Sequence, residues 1–251
     1  MNDKVIDIRP EMGYDGVTGF TIRNQFSYYE RKARILREET IRCALEEKVV
    51  AIVRGVSGPQ CLELAQALYD GGIRMMEVTY NQRDPGSWKD TANAISAISE
   101  QFAGRLLAGA GTVTTPELVE LSRRAGANFI ISPDTNPAVI ARTRELEMVS
   151  MPGAMTPTEI LSAHAAGADI VKLFPAAALG PAYLKAILSP LNHIKIMAVG
   201  GVDAANVGSF LKAGAAGAGV GGNLVNRGWI AEGRFDLITE AARSLTSAAK
   251  Q

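Results

Sequence analysis

One lysine interrupts an otherwise apolar run. Lys172 lies in DIVKLF, residues 169 to 174. In an extended chain Ile170, Lys172 and Phe174 share one face, while Val171 and Leu173 share the other. An amine drawn out of water among apolar neighbours has a lowered pKa, so it can be neutral and nucleophilic near pH 7. That is the state an imine-forming lysine needs. Glu77, in IRMMEVT (73 to 79), has a similar setting, with Met75 and Thr79 on its own face and Met76 and Val78 on the other. A carboxyl group beside such an amine can shuttle the protons that carbinolamine dehydration and carbon–carbon cleavage require. Two structural alternatives stand beside this chemistry: a strand-end lysine reaching solvent, or a Lys–Glu ion pair with no catalytic role.

Other residues point to anion binding. Arg54 ends the run VVAIVR (49 to 54) and can supply a fixed cation for a carboxylate, or pair with a surface acid at the rim. The stretches AVGGVDAANV (198 to 207) and AGVGGNLV (218 to 225) are rich in glycine. Backbone N–H groups in such turns approach phosphate closely, although glycines also simply make tight turns. A third turn, LLAGAGTVTTPE (106 to 117), puts Gly109, Gly111 and Thr112 either against a ligand or in the loop alone. His164 reads as a packing residue in a helix and His193 as a loop residue. Cys43 and Cys61, with only two histidines in the chain, cannot form a standard Cys/His metal site, and both cysteines read as core fillers.

The elements that must position these groups follow from a repeated alternation. Eight short apolar runs begin at residues 49, 73, 106, 128, 147, 169, 194 and 216, each followed by enough chain for a crossover helix. None alternates cleanly with polar residues, as expected of parallel strands buried on both faces. Thr115-Pro116, Asn136-Pro137 and Thr156-Pro157 mark helix starts, with Thr156 and Glu159 forming a capping box. Gly71-Gly72, Gly126, Gly167 and Gly214 mark helix ends. Eight repeats with no compositional break predict an α/β fold, a (β/α)8 TIM barrel, rather than an open flavodoxin-like sheet. Lys172 and Glu77 then fall late in the sixth and second strands, which face each other across such a barrel. Residues 30 to 48 predict an amphipathic helix under the barrel, with Ile35, Ile41, Cys43 and Leu45 buried. The expected organisation is an arm and capping helix over 1–48 and the barrel with its C-terminal helix over 49–251.

The 251 residues carry 26 basic and 26 acidic side chains, which argues against nucleic-acid or anionic-membrane partners. No stretch approaches ~18 consecutive apolar residues, and the N-terminus lacks a signal-peptide pattern, so a cytoplasmic location is expected.

The segments VVAIVRG, GGIRMMEVTYN, GAGTVTTPELV, ISPDTN, MPGAMTPTEI, DIVKLFPAAALGP, AVGGVDAANV and GVGGNLV, taken in order, resemble the class I 2-dehydro-3-deoxy-phosphogluconate and 2-dehydro-3-deoxy-6-phosphogalactonate aldolases, which include the 4-hydroxy-2-oxoglutarate aldolases. The resemblance implies a compact barrel, a homotrimer, no metal or other cofactor, and a phosphorylated keto-acid substrate. It matches Lys172 to the Schiff-base lysine and Glu77 to the general acid/base. Thr112, Pro133 and Phe174 match residues around the pyruvate part of the substrate, and Gly200, Gly201, Gly221 and Gly222 match the phosphate turns. Asn81 stands where the gluconate branch has a carboxylate-binding arginine, and Val199 where that branch often has threonine. Both bring the chain nearer the phosphogalactonate branch, with Arg54 as the carboxylate partner. Asn223 replaces a serine that some members have near the phosphate. The rival readings are another phosphate-binding barrel enzyme, such as an isomerase or a thiamin-phosphate-type synthase, and a non-catalytic phospho-sugar binding protein.

Overall fold

The computed structural model describes residues 34–56 and 58–250. A helix over residues 34–47, α1, leads into an alternation of strands and helices. The strands are β1 (Val49–Val53), β2 (Met75–Thr79), β3 (Leu107–Gly111), β4 (Phe129–Ile131), β5 (Val149–Met151), β6 (Gly153–Ala154), β7 (Val171–Leu173), β8 (Ile196–Val199) and β9 (Gly217–Val220). All pairings are parallel, in the order β5-β4-β3-β2-β1-β9-β8-β7-β6. β5 and β6 are two halves of one stave. Pro152 separates them because it has no N–H for the ladder, while its carbonyl still accepts from Lys172 N–H at 2.8 Å. The two ends of the sheet are thus joined through the chain itself, and the eight predicted runs close as a (β/α)8 barrel.

The intervening helices are α2 (Pro59–Asp70), α3 (Trp88–Phe102), α4 (Pro116–Arg124), α5 (Pro137–Glu145), α6 (Pro157–Ala165), α7 (Ala176–Leu188), α8 (Val207–Lys212), α9 (Arg227–Ala231) and α10 (Phe235–Ala249). Their starts follow from local chemistry. Thr115, Asn136 and Thr156 each accept a backbone N–H with proline at the first helical position, and Thr156 with Glu159 completes the capping box. After α4, α6 and α8 the chain turns through Gly126, Gly167 and Gly214, all at positive φ.

Alternation along each strand divides the apolar residues into two clusters. One fills the shell between sheet and helices, and includes Val49, Met76, Val78, Ile130, Val171, Leu173 and Ile196. The other fills the barrel interior with Val50, Met75, Leu107, Phe129, Ile131, Val149, Met151, Ile170, Met197 and Val199. Burial of each large side chain in it contributes about 1.5–3 kcal/mol.

α1 closes the bottom of this interior. Ala44 is buried in the inner cluster, with Ile41, Cys43 and Leu45 packed against it, but Ile35 is 52% exposed, contrary to the predicted burial. The inward stripe of α1 runs through Arg37, Thr40 and Ala44, spaced by three and four residues. Its first member is polar because Arg37 pairs with the half-buried Asp169, which also pairs with Arg144 at 3.0 Å and accepts from Ser150 N–H at 2.9 Å. The 30–33 part of the predicted helix and the N-terminal arm lie outside the described residues. Neither histidine packs as a core residue. His164 and His193 are exposed, edge to face with ring centroids 5.3 Å apart.

Candidate active site

Lys172 is the centre of β7, where Ile170 and Met197 of the inner cluster flank it, and it is only 9% exposed. Its register neighbours are Gly153 on β6 and Met197 on β8. Glu77 on β2 is 2% exposed, between Ile52 on β1 and Gly109 on β3. The two staves are opposite in the ring, and both side chains enter the same apolar interior.

Each group changes the other's acidity. Burial pushes the Glu77 carboxyl up to about 7, offset by the positive charges of Lys172 and Arg54. Burial likewise drives the Lys172 amine below its ordinary value, opposed by Glu77 and assisted by Arg54. Both shifts bring proton exchange toward neutral pH. No opposite charge lies within 4.0 Å of either group among the described residues, so the pair is poised across a gap rather than locked as a salt bridge. Glu77 Oε2 and Thr79 Oγ1 are buried with no hydrogen-bond partner. Unpaired polar atoms at that depth cost about 1–3 kcal/mol each, which a bound polar ligand would relieve.

Glycines make the room for these groups. At Gly111 a Cβ would lie 2.7 Å from Glu77 Cδ and 2.8 and 2.9 Å from its oxygens, so only glycine admits the carboxyl there. Gly153, beside Lys172, lets the Pro133 carbonyl press against its stave. The Phe174 ring centroid is 4.9 Å from Lys172 Nζ, and the residue is 41% exposed.

The turn after β3 is strained. Thr112 has φ of 58°, a left-handed conformation that costs a β-branched residue about 1–2 kcal/mol. Neighbours hold it from two sides. Gln82 Nε2 donates to the Thr112 carbonyl at 2.7 Å while Gln82 Oε1 accepts from the Thr114 hydroxyl at 3.2 Å, and Val113 N–H donates to Ile131 at 3.2 Å. Gln82 escaped the sequence reading, because no spacing rule links a loop glutamine to a turn 30 residues away.

The remaining candidates ring the mouth. Asn81 has its Oδ1 engaged by Arg83 N–H at 3.1 Å, leaving Nδ2 to donate toward the cavity of about 330 Å³ that it lines with Arg54. Val199 is buried in the inner cluster opposite Gly219. Gly200 at φ 94° and Gly201 at φ 75° form the turn after β8, where a Cβ on Gly200 would be 3.0 Å from the Phe174 ring. Gly221 and Gly222 line a second cavity, of about 300 Å³, together with Arg54 and Arg227. Asn223 donates to the Val202 carbonyl at 3.5 Å. Among the described residues no cluster of three His, Cys, Asp or Glu side chains could hold a metal ion.

A buried amine facing a buried carboxyl, both with displaced acidity, under a glycine-lined mouth, is equipment for imine chemistry. The family model for KDPG and KHG aldolase matches residues 40–241, which include every strand of the barrel. The chain belongs to the KDPG and KHG aldolase family. This aldolase, a carbon–carbon lyase, is 36% identical over 181 residues to the 2-dehydro-3-deoxy-6-phosphogalactonate aldolase of Escherichia coli (strain K12), covering 72% of this chain and 85% of that protein. It superposes on a native KDPGal structure with a TM-score of 0.73 at 33% identity, covering 80% of this chain and 94% of the other. KDPG aldolase from Legionella pneumophila, solved with pyruvate captured at low pH as a covalent carbinolamine intermediate, matches with a TM-score of 0.70 at 31% identity, covering 79% and 93%. Among the described residues no helix is long and apolar enough to cross a membrane.

Proposed function

We propose that this aldolase cleaves a 2-dehydro-3-deoxy-6-phospho-sugar acid, of galactonate rather than gluconate configuration, to pyruvate and D-glyceraldehyde 3-phosphate through a Schiff base on Lys172. The observation that carries the reading is the buried Lys172 amine set across the barrel from Glu77, whose Oε2 has no partner. The pyruvate carbinolamine in the Legionella relative supports the same chemistry.

Neutral Lys172 attacks the C2 ketone, and the Glu77 carboxyl, half-protonated near pH 7, protonates the departing hydroxyl as water. The resulting cationic imine is the electron sink. Glu77, now carboxylate, removes the C4 hydroxyl proton directly or through water. The C3–C4 electron pair then moves into the imine, and glyceraldehyde 3-phosphate leaves. Protonation of the enamine at C3 and hydrolysis of the imine release pyruvate and restore the amine. Thr112, Pro133 and Phe174 surround the pyruvate portion. Arg54 supplies a fixed cation, and the turns at Gly200, Gly201, Gly221, Gly222 and Asn223 face the phosphate end. Asn81 and Val199 favour the galactonate branch. The enzyme works as a homotrimer in the cytoplasm.

Coupling pyruvate release to NADH oxidation by lactate dehydrogenase tests the reading. The galactonate epimer should be cleaved with the higher kcat/KM, and Lys172→Met should abolish turnover of both. A strong preference for the gluconate epimer would overturn the branch assignment, and unchanged turnover in Lys172→Met would overturn the chemistry.

A further inference from the structure

Two arginines line one rim of the barrel mouth. Arg54 follows β1 and Arg227 opens α9, and Arg227 Nη2 donates to the Arg54 carbonyl at 3.3 Å. Gly55, at φ 67°, makes this approach possible, since a Cβ there would stand 3.1 Å from Arg227 Nη2. Both arginines are exposed, and neither has a carboxylate within 4.0 Å among the described residues. An anion entering a cavity lined by two unneutralised cations gains charge-assisted hydrogen bonds.

The cavity of about 300 Å³ that they line has room for such an anion. Its lining joins Arg54 and Arg227 to Gly221 and Gly222, and contains no acidic side chain. Asn226 Oδ1 accepts from Gly228 N–H at 2.8 Å and Trp229 N–H at 3.2 Å, which leaves its amide Nδ2 as a neutral donor. That leaves the guanidiniums as the charged donors of this cavity. The neighbouring cavity of about 330 Å³, which both arginines also line, carries Asp90 on its wall and suits an anion less well.

We infer that Arg227 is a specificity-determining residue: it binds the substrate phosphate from the rim and makes the enzyme select phosphorylated acids over unphosphorylated acids with the same carbon skeleton. The inference rests on the aldolase reading and extends it to a residue outside every motif that pointed to that reading. Glycine turns supply N–H donors that favour an anion, and a guanidinium adds a full counter-charge that a neutral hydroxyl cannot use. Because Arg227 holds the end of the substrate remote from Lys172, its loss weakens binding and leaves the pyruvate half of the reaction intact.

The test compares wild type, Arg227→Gln and Arg227→Lys on 2-dehydro-3-deoxy-6-phosphogalactonate and on its unphosphorylated counterpart, with inorganic phosphate titrated calorimetrically into each protein. Arg227→Gln should raise KM for the phosphorylated acid roughly 10- to 100-fold, the range for losing a hydrogen bond to a charged group, with kcat nearly unchanged. It should weaken phosphate binding by a similar factor, leave the unphosphorylated acid unaffected, and be partly restored by Arg227→Lys. Equal effects on the two acids, or none, would overturn the inference. If wild type cleaves neither acid, the aldolase reading fails, while the phosphate titration still decides the role of Arg227.

Discussion

Replacing Glu77 by glutamine should make the protein inactive and, above neutral pH, more stable. The carboxyl is displaced from 4.5 to about 7 by burial, Lys172 and Arg54 acting in the opposite sense. A folded-state pKa above the unfolded one favours the native state only while the group is protonated. The contribution is complete below pH 4.5, fades between 4.5 and 7, and is gone above. The displacement is equivalent to about 3 kcal/mol. With Glu77 only 2% exposed, solvent screening removes little of it. Glutamine does not titrate, so the stability of Glu77→Gln relative to wild type should rise by about 3 kcal/mol between pH 4.5 and 8, or about 6–12 °C in Tm for a chain of this size. Circular dichroism melts and urea titrations of both proteins at pH 5, 6, 7 and 8 measure this directly. Pyruvate release should fall to background throughout. A relative stability flat with pH would refute the claim that Glu77 is buried and half-protonated at neutrality.

Other perturbations act through neighbours. Gly111→Ala drives a Cβ to 2.7 Å from Glu77 Cδ, and displacing the carboxyl should cost roughly 100-fold in kcat. Unaltered turnover would show that Glu77 need not lie where it does. Gln82→Ala frees the strained Thr112 turn and should lower kcat/KM about tenfold at nearly constant Tm, with less effect in a Thr112→Gly background that carries no left-handed strain. Strictly additive effects would dismiss the clamp. Asp169→Asn leaves Arg37 and Arg144 without their partner and should destabilise by about 3 kcal/mol, lowering Tm by about 6–12 °C with kcat preserved. A Tm within a degree of wild type would show that α1 is held by its apolar face alone.

How much of this was legible beforehand depends on the kind of signal. Parallel strands buried on both faces read as continuous apolar runs, so the eight staves and the barrel could be placed, and a lysine inside one of them stood out for the same reason. The helix starts were legible because Thr-Pro and Asn-Pro pairs have a local mechanism. The break at Pro152 and the continuation as β6 were not, since two residues carry no period. Ile35 was misplaced because the buried stripe of α1 opens with a charged residue, Arg37, and its burial depends on Asp169, more than a hundred residues away. Gln82 and Arg227 were invisible for a related reason. Both make contacts that form only when the barrel closes, Gln82 with Thr112 and Arg227 with Arg54.

The claim on which all of this rests is that the Lys172 amine reacts as a neutral nucleophile inside the barrel. Incubation with pyruvate and sodium borohydride, followed by peptide mass spectrometry, measures it most directly. The reduced pyruvate adduct should appear on the peptide containing Lys172 in stoichiometric yield and vanish in Lys172→Met. An unmodified Lys172 peptide, or an adduct on another lysine, would contradict the account.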